Sequence, residues 1–134
     1  MAASLDGKTI GAITLFVEDL AAIREFYRTV FSREPIFEDD VSCVFPFGDT
    51  IINLLQVSEA PGLIGPAKVA GPERGSRFQF TIWVDDADAT ASELAAQGVN
   101  LVNGPIDRSW GVRTAAFVDP AGHVWEIAQP LHGE

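Results

Sequence analysis

The sequence predicts an α+β fold made of two tandem βαβββ modules. The quartets Phe16–Asp19 (FVED) and Trp83–Asp86 (WVDD) each follow a strand-like apolar run and precede a helical pattern, and they are 67 residues apart (83 minus 16). Between the two copies the chain is rich in Gly and Pro and shows no periodicity, as in a linker. The predicted boundaries are a single domain over 1–134, module one at about 8–58, the linker at 59–76 and module two at about 77–130.

Module one begins with a strand pattern over residues 10–19, and an amphipathic helix follows over 20–32. Asp19 stands where a side-chain oxygen can cap the helix N-terminus. The apolar stripe of the helix predicts the surface that packs on the sheet. This stripe contains Leu20, Ile23, Phe26, Tyr27 and Val30, and three short strands are predicted at 33–40, 41–48 and 50–57.

Module two repeats this order. A strand is predicted from Phe78, and a helix over 87–98 is capped by Asp86 and stopped by Gly98. Three further strands are predicted at 99–106, 112–120 and 123–130, with an Asp-Pro-x-Gly turn before the last one.

Alternation along the first strand of each module separates an apolar face from a mixed one. The apolar face is expected to pack under the helix, because the helix stripe needs a partner. The mixed face combines small, polar and aromatic groups, which suits the wall of a ligand cavity. The apolar residues are Ile13, Leu15 and Val17, and then Phe80, Ile82 and Val84; the mixed residues are Ala12, Thr14 and Phe16, and then Gln79, Thr81 and Trp83.

The composition limits the class of partner. The formal net charge is -10, and the nine Lys and Arg residues are spread along the chain, so a nucleic-acid partner is not expected. An acidic surface serves solubility, and it also favours a cationic small ligand.

The remaining compositional features concern location and redox chemistry. The single cysteine, Cys43, lies in an apolar run, which predicts a buried thiol and excludes an intramolecular disulfide. No apolar stretch approaches the roughly 20 residues of a membrane span, and the first residues lack a signal-peptide pattern. We therefore expect a cytoplasmic protein with no membrane partner.

Three segments, Ile13–Phe31, Phe80–Val99 and Trp110–Pro130, resemble the vicinal oxygen chelate superfamily. This superfamily includes glyoxalase I, extradiol dioxygenases, fosfomycin-resistance enzymes and bleomycin-binding resistance proteins. The resemblance covers roughly Gly11 to Pro130. It implies curled mixed sheets that enclose a cleft, and commonly a homodimer.

In metal-dependent members of the superfamily, His, Glu or Gln side chains on the first and fourth strands hold a divalent ion. The resemblance transfers these positions to Ala12, Asn53, Gln79 and Glu126. Ala12 has no donor atom, two positions carry neutral amides, and only Glu126 is a strong ligand. His123 is three residues from Glu126 on a predicted strand, so the two side chains point to opposite faces and cannot hold one ion together. His132 lies in the tail beyond the last predicted strand. We therefore expect no tight metal binding and no cofactor, while a divalent ion at a weakened or relocated site stays as the alternative.

The predicted ligand-binding residues combine this degenerate site with nearby aromatic and charged groups. Phe45 and Phe47 are further candidates for cavity walls. Arg113 has an alternative interpretation as an ordinary surface ion pair, and Glu126 has one as a structural acid. The predicted set is Phe16, Asn53, Gln79, Trp83, Trp110, Arg113 and Glu126.

These residues favour a protein that binds a planar or cationic organic compound without a metal, in the manner of antibiotic-resistance proteins of the bleomycin-binding type. A metal-dependent lyase, isomerase or dioxygenase of the same fold is the alternative, and Glu126 would be its one identifiable catalytic residue. A regulatory or scaffolding dimer without a ligand is a third hypothesis. The fold alone does not choose between them.

Overall fold

A computed structural model describes residues 5–131 of the chain. These residues divide into two compact units, and the boundary follows Val69. Each unit has the element order βαβββ, so the predicted α+β fold with two tandem modules is confirmed. No helix within residues 5–131 is long and apolar enough to cross a lipid bilayer. His132 lies outside the described residues.

The first unit contains a four-stranded mixed sheet. Its elements are β1 (Ala12–Val17), α1 (Leu20–Val30), β2 (Phe37–Glu38), β3 (Ser42–Phe47) and β4 (Thr50–Gln56). The strand order is β1-β4-β3-β2. β1 and β4 are parallel neighbours, and the other pairs are antiparallel.

Helix α1 begins and packs as the sequence predicts. The carboxylate of Asp19 accepts a hydrogen bond from the backbone N–H of Ala22 at 3.1 Å, which satisfies one of the free donors at the helix N-terminus. Ile23 and Tyr27 of the predicted stripe are fully buried. The helix is therefore held mainly by its apolar face against the sheet.

An aromatic cluster fills the space between α1 and its sheet. The Tyr27 ring lies 5.6 Å from that of Phe45, and the Phe31 ring lies 5.3 Å from that of Phe47. Phe45 has no exposed surface. The expectation that Phe45 and Phe47 line a ligand cavity is wrong, because both rings pack against aromatic side chains of α1 and of its C-terminal end.

The predicted linker is more regular than its composition indicates. It contains helix α2 (Ala60–Ile64), flanked by 3₁₀ turns at Val57–Glu59 and Pro72–Arg74. Pro61 lies in the first turn of α2, where proline loses no helical hydrogen bond. A mostly apolar cavity of about 420 Å³ borders α2, and Lys68 is the one charged residue among its lining groups.

The second unit repeats the architecture. Its elements are β5 (Gln79–Trp83), α3 (Ala87–Ala96), β6 (Leu101–Asp107), β7 (Val112–Val118) and β8 (Val124–Pro130). The strand order is β5-β8-β7-β6, with β5 and β8 parallel. The two sheets therefore have the same topology.

Helix α3 also has the predicted ends. Asp86 accepts a hydrogen bond from the Ala89 N–H at 3.0 Å, and Gly98 follows the helix with a φ of +85°, a conformation that glycine adopts without strain. The first N–H of the helix, from Ala87, donates to Oε1 of Gln129 on β8 at 2.8 Å. This bond fixes which face of the second sheet lies beside α3.

Strand β6 is irregular, with register shifts between Leu101 and Ile106. At Gly104, which has a φ of +85°, an added Cβ would collide with the carbonyl oxygen of Thr114 on β7. Only glycine permits this close approach of the two strands. The irregularity matters for the site, because it changes which β6 residues share a face with β7.

Candidate functional site

The candidate site lies on the face of the second sheet that is opposite to α3, which we call the helix-free face. Gln129 contacts the start of α3, and alternation along β8 then places Glu126 and Ala128 on the other side. Strand pairing extends this face across the sheet. Its members are Gln79, Thr81, Trp83, Asn103, Ile106, Thr114, Ala116, Val118, Val124, Glu126 and Ala128.

Glu126 is oriented by its neighbour on the parallel strand. Thr81 pairs directly with Glu126, and its hydroxyl donates a hydrogen bond to Oε1 of the carboxylate at 2.8 Å. Glu126 is partly buried, and it takes part in no ion pair among residues 5–131. The carboxylate is therefore held in position with its charge uncompensated by a basic side chain.

Small residues surround Glu126 on the same face. Its partner on β7 is Ala116, and Ala128 follows it on β8. Both alanines are buried, and they project only a methyl group from the sheet. No long side chain of β7 or β8 therefore stands directly beside Glu126 at these two positions.

Trp83 lies on the neighbouring strand β5, on the same face as Glu126. It pairs with Ala128, so it lies diagonally across from Glu126, a separation that aromatic side chains can span. Its side chain is 66% exposed. An exposed indole next to a carboxylate offers a flat surface for stacking.

Arg108 is a member of the site that the sequence did not indicate. Its Nε–H donates to Oγ1 of Thr114 at 2.9 Å, and Nη2 lies 3.5 Å from Oδ1 of Asn103. Thr114 is 1% exposed, and both partners belong to the helix-free face. The guanidinium of Arg108 therefore lies along this face, although the residue itself follows β6 in a turn.

Arg113, the basic residue that the sequence did indicate, lies on the other face. It pairs with Gln129, and its guanidinium bonds to Asp107 at 2.8 Å and to Asp88 of α3 at 3.0 Å. Hydrogen bonds to these two carboxylates raise the pKa of Arg113 above its ordinary value. Arg113 therefore forms a surface ion pair, which was the alternative interpretation of this residue.

The first unit carries a matching polar pair at the equivalent strand positions. Asn53 pairs with Thr14 across the parallel strands, and its Nδ2 lies 3.5 Å from the Thr14 hydroxyl. Oδ1 of Asn53 is buried and has no hydrogen-bond partner among residues 5–131. Phe16 lies on the same face and is partly buried.

The remaining predicted residues are peripheral or carry no functional group. Ala12 and Gln79 are both exposed at the start of their strands. Trp110 is 70% exposed in the turn between β6 and β7. His123 lies against Asp119, with Nδ1 3.1 Å from the carboxylate, and Asp119 also accepts bonds from the turn backbone, so this pair closes the turn before β8.

The residues present do not fit a Zn²⁺ or Fe²⁺ ion. Gln79 and Glu126 are the only donors at the family metal positions of the second unit, and Oε1 of Glu126 already accepts from Thr81. In the first unit, Ala12 offers nothing and Asn53 offers an amide. Among residues 5–131, no group of three or more His, Cys, Asp or Glu side chains could hold a metal ion.

Two βαβββ units, each with a polar residue of the fourth strand bonded to the first strand, define a protein of the vicinal oxygen chelate class. Residues 9–127 match the Glyoxalase/Bleomycin resistance protein/Dioxygenase superfamily, and the chain belongs to this superfamily. A relative from Bacillus subtilis (strain 168), described as the uncharacterized protein YraH, is 33% identical over 124 residues, which cover 89% of this chain and 96% of the relative.

Solved structures share the fold. A glyoxalase/bleomycin resistance protein/dioxygenase from Nocardioides has a TM-score of 0.85 at 24% identity, covering 98% of this chain and 89% of its own. A lactoylglutathione lyase from Agrobacterium tumefaciens has a TM-score of 0.73 at 22% identity, covering 91% and 93%. The fosfomycin resistance protein FosX from Listeria monocytogenes, complexed with Mn(II) and sulfate, has a TM-score of 0.71 at 17% identity, covering 92% and 90%.

Proposed function

We propose that this protein binds a planar organic compound that carries a positive charge, and that Glu126 recognises the charge. The observation that carries the proposal is the setting of Glu126. The residue is partly buried, and its carboxylate accepts a hydrogen bond from Thr81 at 2.8 Å and has no basic partner among residues 5–131. Removing a carboxylate from water is unfavourable unless a donor or a cation compensates it, and a ligand cation would do so.

The aromatic part of the ligand has a complementary surface in Trp83. The indole is 66% exposed, and its strand partner Ala128 carries only a short side chain. Stacking of a planar cation on an indole adds a cation–π contribution. The net charge of -10 would raise the local concentration of a cationic ligand.

Only one of the other predicted ligand-binding residues is part of this proposal. Gln79 is retained, because it lies on the face of Glu126. Phe16, Asn53 and Trp110 stay predictions from the sequence. Arg113 is left out, because its guanidinium is paired with two carboxylates on the α3 side.

We propose that binding uses no metal, since the donor groups at the family positions do not suit one. The proposed role is sequestration of a toxic or otherwise reactive compound, which is the antibiotic-resistance activity expected above. A homodimer and a cytoplasmic location belong to the same proposal. Within residues 5–131, Glu126 is the one group that we assign to the enzymatic alternative.

The test is a titration of tryptophan fluorescence against a panel of basic aromatic compounds at low and high salt. The substitution Glu126→Gln preserves shape and removes the charge, so it should weaken the best compound by about 10- to 150-fold, corresponding to roughly 1.5–3 kcal/mol. Salt should also weaken binding through screening.

Glu93→Gln is the matched control. It makes the same change of net charge at an exposed position of α3, and it should leave affinity within about twofold. If no compound quenches the wild-type fluorescence, or if Glu126→Gln binds the best compound as tightly as the wild type, the proposed function is wrong.

A further inference from the structure

Arg108 and Glu126 place opposite charges on one face of the second sheet. Arg108 bonds to Thr114, which pairs with Ala128, and Glu126 pairs with Ala116 on the same strand as Thr114. Adjacent strands lie about 4.8 Å apart and alternate residues about 6.6 Å apart. Thr114, which anchors Arg108, and Glu126 are therefore diagonal neighbours on adjacent strands, and their strand partners Ala128 and Ala116 have short side chains.

Arg108 forms no ion pair with the part of the chain that the structure describes. Among residues 5–131, ion pairs join Arg24, Arg28, Arg113 and His123 to carboxylates, and Arg108 belongs to none of them. Its bonds to Thr114 and Asn103 use Nε and Nη2. They leave Nη1 without a partner among these residues.

The contacts of Arg108 orient a cation without neutralising it. Thr114 is 1% exposed, so its hydroxyl is a fixed anchor for Nε–H. Asn103 contributes a neutral oxygen. A partly buried guanidinium held only by neutral groups has incomplete compensation for the water it has lost, and an anionic oxygen group is the partner that its free N–H donors fit best.

We infer that Arg108 forms an anion subsite next to Glu126, and that the preferred ligand is zwitterionic, with a cationic group at Glu126 and a carboxylate or phosphonate at Arg108. This inference rests on the proposed function, because it takes the helix-free face as the binding surface. It adds the chemical class of the ligand: an amino-acid-like aromatic compound instead of a simple aromatic amine.

The inference is tested with four probes that share one ring: indole, tryptamine, indole-3-propionate and L-tryptophan. Calorimetry gives the affinities, and ¹H–¹⁵N spectra of labelled protein follow the Arg108 Nε–H resonance. L-tryptophan should bind about 5- to 30-fold more tightly than tryptamine, the range for one charge-assisted contact at a partly exposed site. Indole-3-propionate should shift the Arg108 resonance, and indole should not.

Variants separate ligand recognition from a structural role. Arg108→Gln should bring the ratio of the L-tryptophan affinity to the tryptamine affinity down to about one, and Arg108→Lys should keep part of the advantage of L-tryptophan. Phenylphosphonate, compared with benzoate on the wild type, shows which anionic oxygen group the subsite prefers. Unfolding in urea checks that the variants are folded.

The outcomes distinguish this inference from the proposed function. If tryptamine binds through Glu126 but L-tryptophan binds no more tightly, or if its advantage survives in Arg108→Gln, the anion subsite is wrong and the proposed function stands. If neither tryptamine nor any compound of the basic aromatic panel binds, the proposed function is wrong. The anion subsite is then decided by indole-3-propionate alone, and an unmoved Arg108 resonance overturns it.

Discussion

Thr81 and Glu126 are direct partners on parallel strands, and the threonine hydroxyl lies 2.8 Å from the carboxylate. The equivalent pair in the first unit, Thr14 and Asn53, is separated by 3.5 Å. The same strand positions thus hold a well-formed bond to a charge in one unit and a weak contact between neutral groups in the other. This difference makes the second unit the centre of the candidate site.

The first prediction concerns the orientation of Glu126. Thr81→Val keeps the shape of the side chain and removes the hydroxyl, so the carboxylate should lose its fixed position. Affinity for the best cationic aromatic compound should fall by roughly fivefold, or about 1 kcal/mol. The same titration of Thr14→Val should show a smaller loss. Equal binding by Thr81→Val and the wild type would mean that the bond does not position Glu126 for a ligand.

A second prediction separates the two arginines. Arg113→Gln breaks the ion pairs with Asp88 and Asp107, which are exposed, so the free energy of unfolding should fall only slightly, because water screens such pairs. Ligand affinity should stay within about twofold, because the side chain lies beside α3. Urea unfolding and the fluorescence titration measure the two effects. A large loss of affinity in Arg113→Gln, with the free energy of unfolding unchanged, would show that Arg113 contributes to ligand binding.

The part of the site that could be predicted from the sequence lies on strands whose side chains alternate regularly between the two faces of the sheet. Thr81 and Trp83 share a face because β5 is regular, and Glu126 follows from the regular β8. The sequence also predicted Asp19 and Asp86 as helix N-caps, since each stands directly before a segment with helical periodicity. These features depend on local patterns, which strands and helices preserve.

Other features depend on contacts that the sequence does not encode locally. Arg108 was missed because it lies in a turn, and because the register shifts of β6 change the alternation just before it. Phe45 and Phe47 were assigned to the wrong face because β3 is apolar on both sides, so alternation alone does not fix its orientation. Only the strand pairing resolves these positions.

A third prediction concerns metal ions. Elemental analysis of wild-type protein, after loading with Zn²⁺, Mn²⁺, Ni²⁺ or Fe²⁺ and desalting, should give well under one ion per chain, because the family positions offer no imidazole or thiolate and only one carboxylate, that of Glu126. Gln79→His adds an imidazole on the face of Glu126 and should raise retention of Zn²⁺ and Ni²⁺. A stoichiometric ion in the wild type, removed by a chelator together with an activity, would contradict the metal-free proposal.

A fourth prediction is that the protein is a homodimer. Several large apolar side chains are exposed, among them Phe37 at 54% and Val102 at 56%, and subunit association commonly covers such groups. Light scattering should give about twice the chain mass of 14.4 kDa. A concentration series shows whether the dimer dissociates on dilution. A monomer at tens of micromolar would refute the dimer.

The last prediction concerns Cys43, whose side chain is completely buried in β3. Burial raises the pKa of this thiol from 9.0 to about 11, and the negative charge of Glu38 adds to the effect, while Arg24 and Arg28 oppose it. The native thiol should therefore resist alkylation by iodoacetamide at pH 8, because the thiolate is the reactive form. Addition of urea should make it reactive.

The same shift makes stability depend on pH in a defined direction. Above pH 9 the unfolded chain loses the thiol proton while the native protein keeps it, so unfolding becomes more favourable. The contribution of Cys43 is fully present below pH 9 and is lost as the pH rises through about 11, by on the order of 2–3 kcal/mol in total. Urea unfolding of the wild type and of Cys43→Ala between pH 8 and pH 11 isolates this thiol from other groups. The stability difference between the two should shift in favour of Cys43→Ala as the pH rises, and a constant difference would show that the thiol does not titrate as its burial requires.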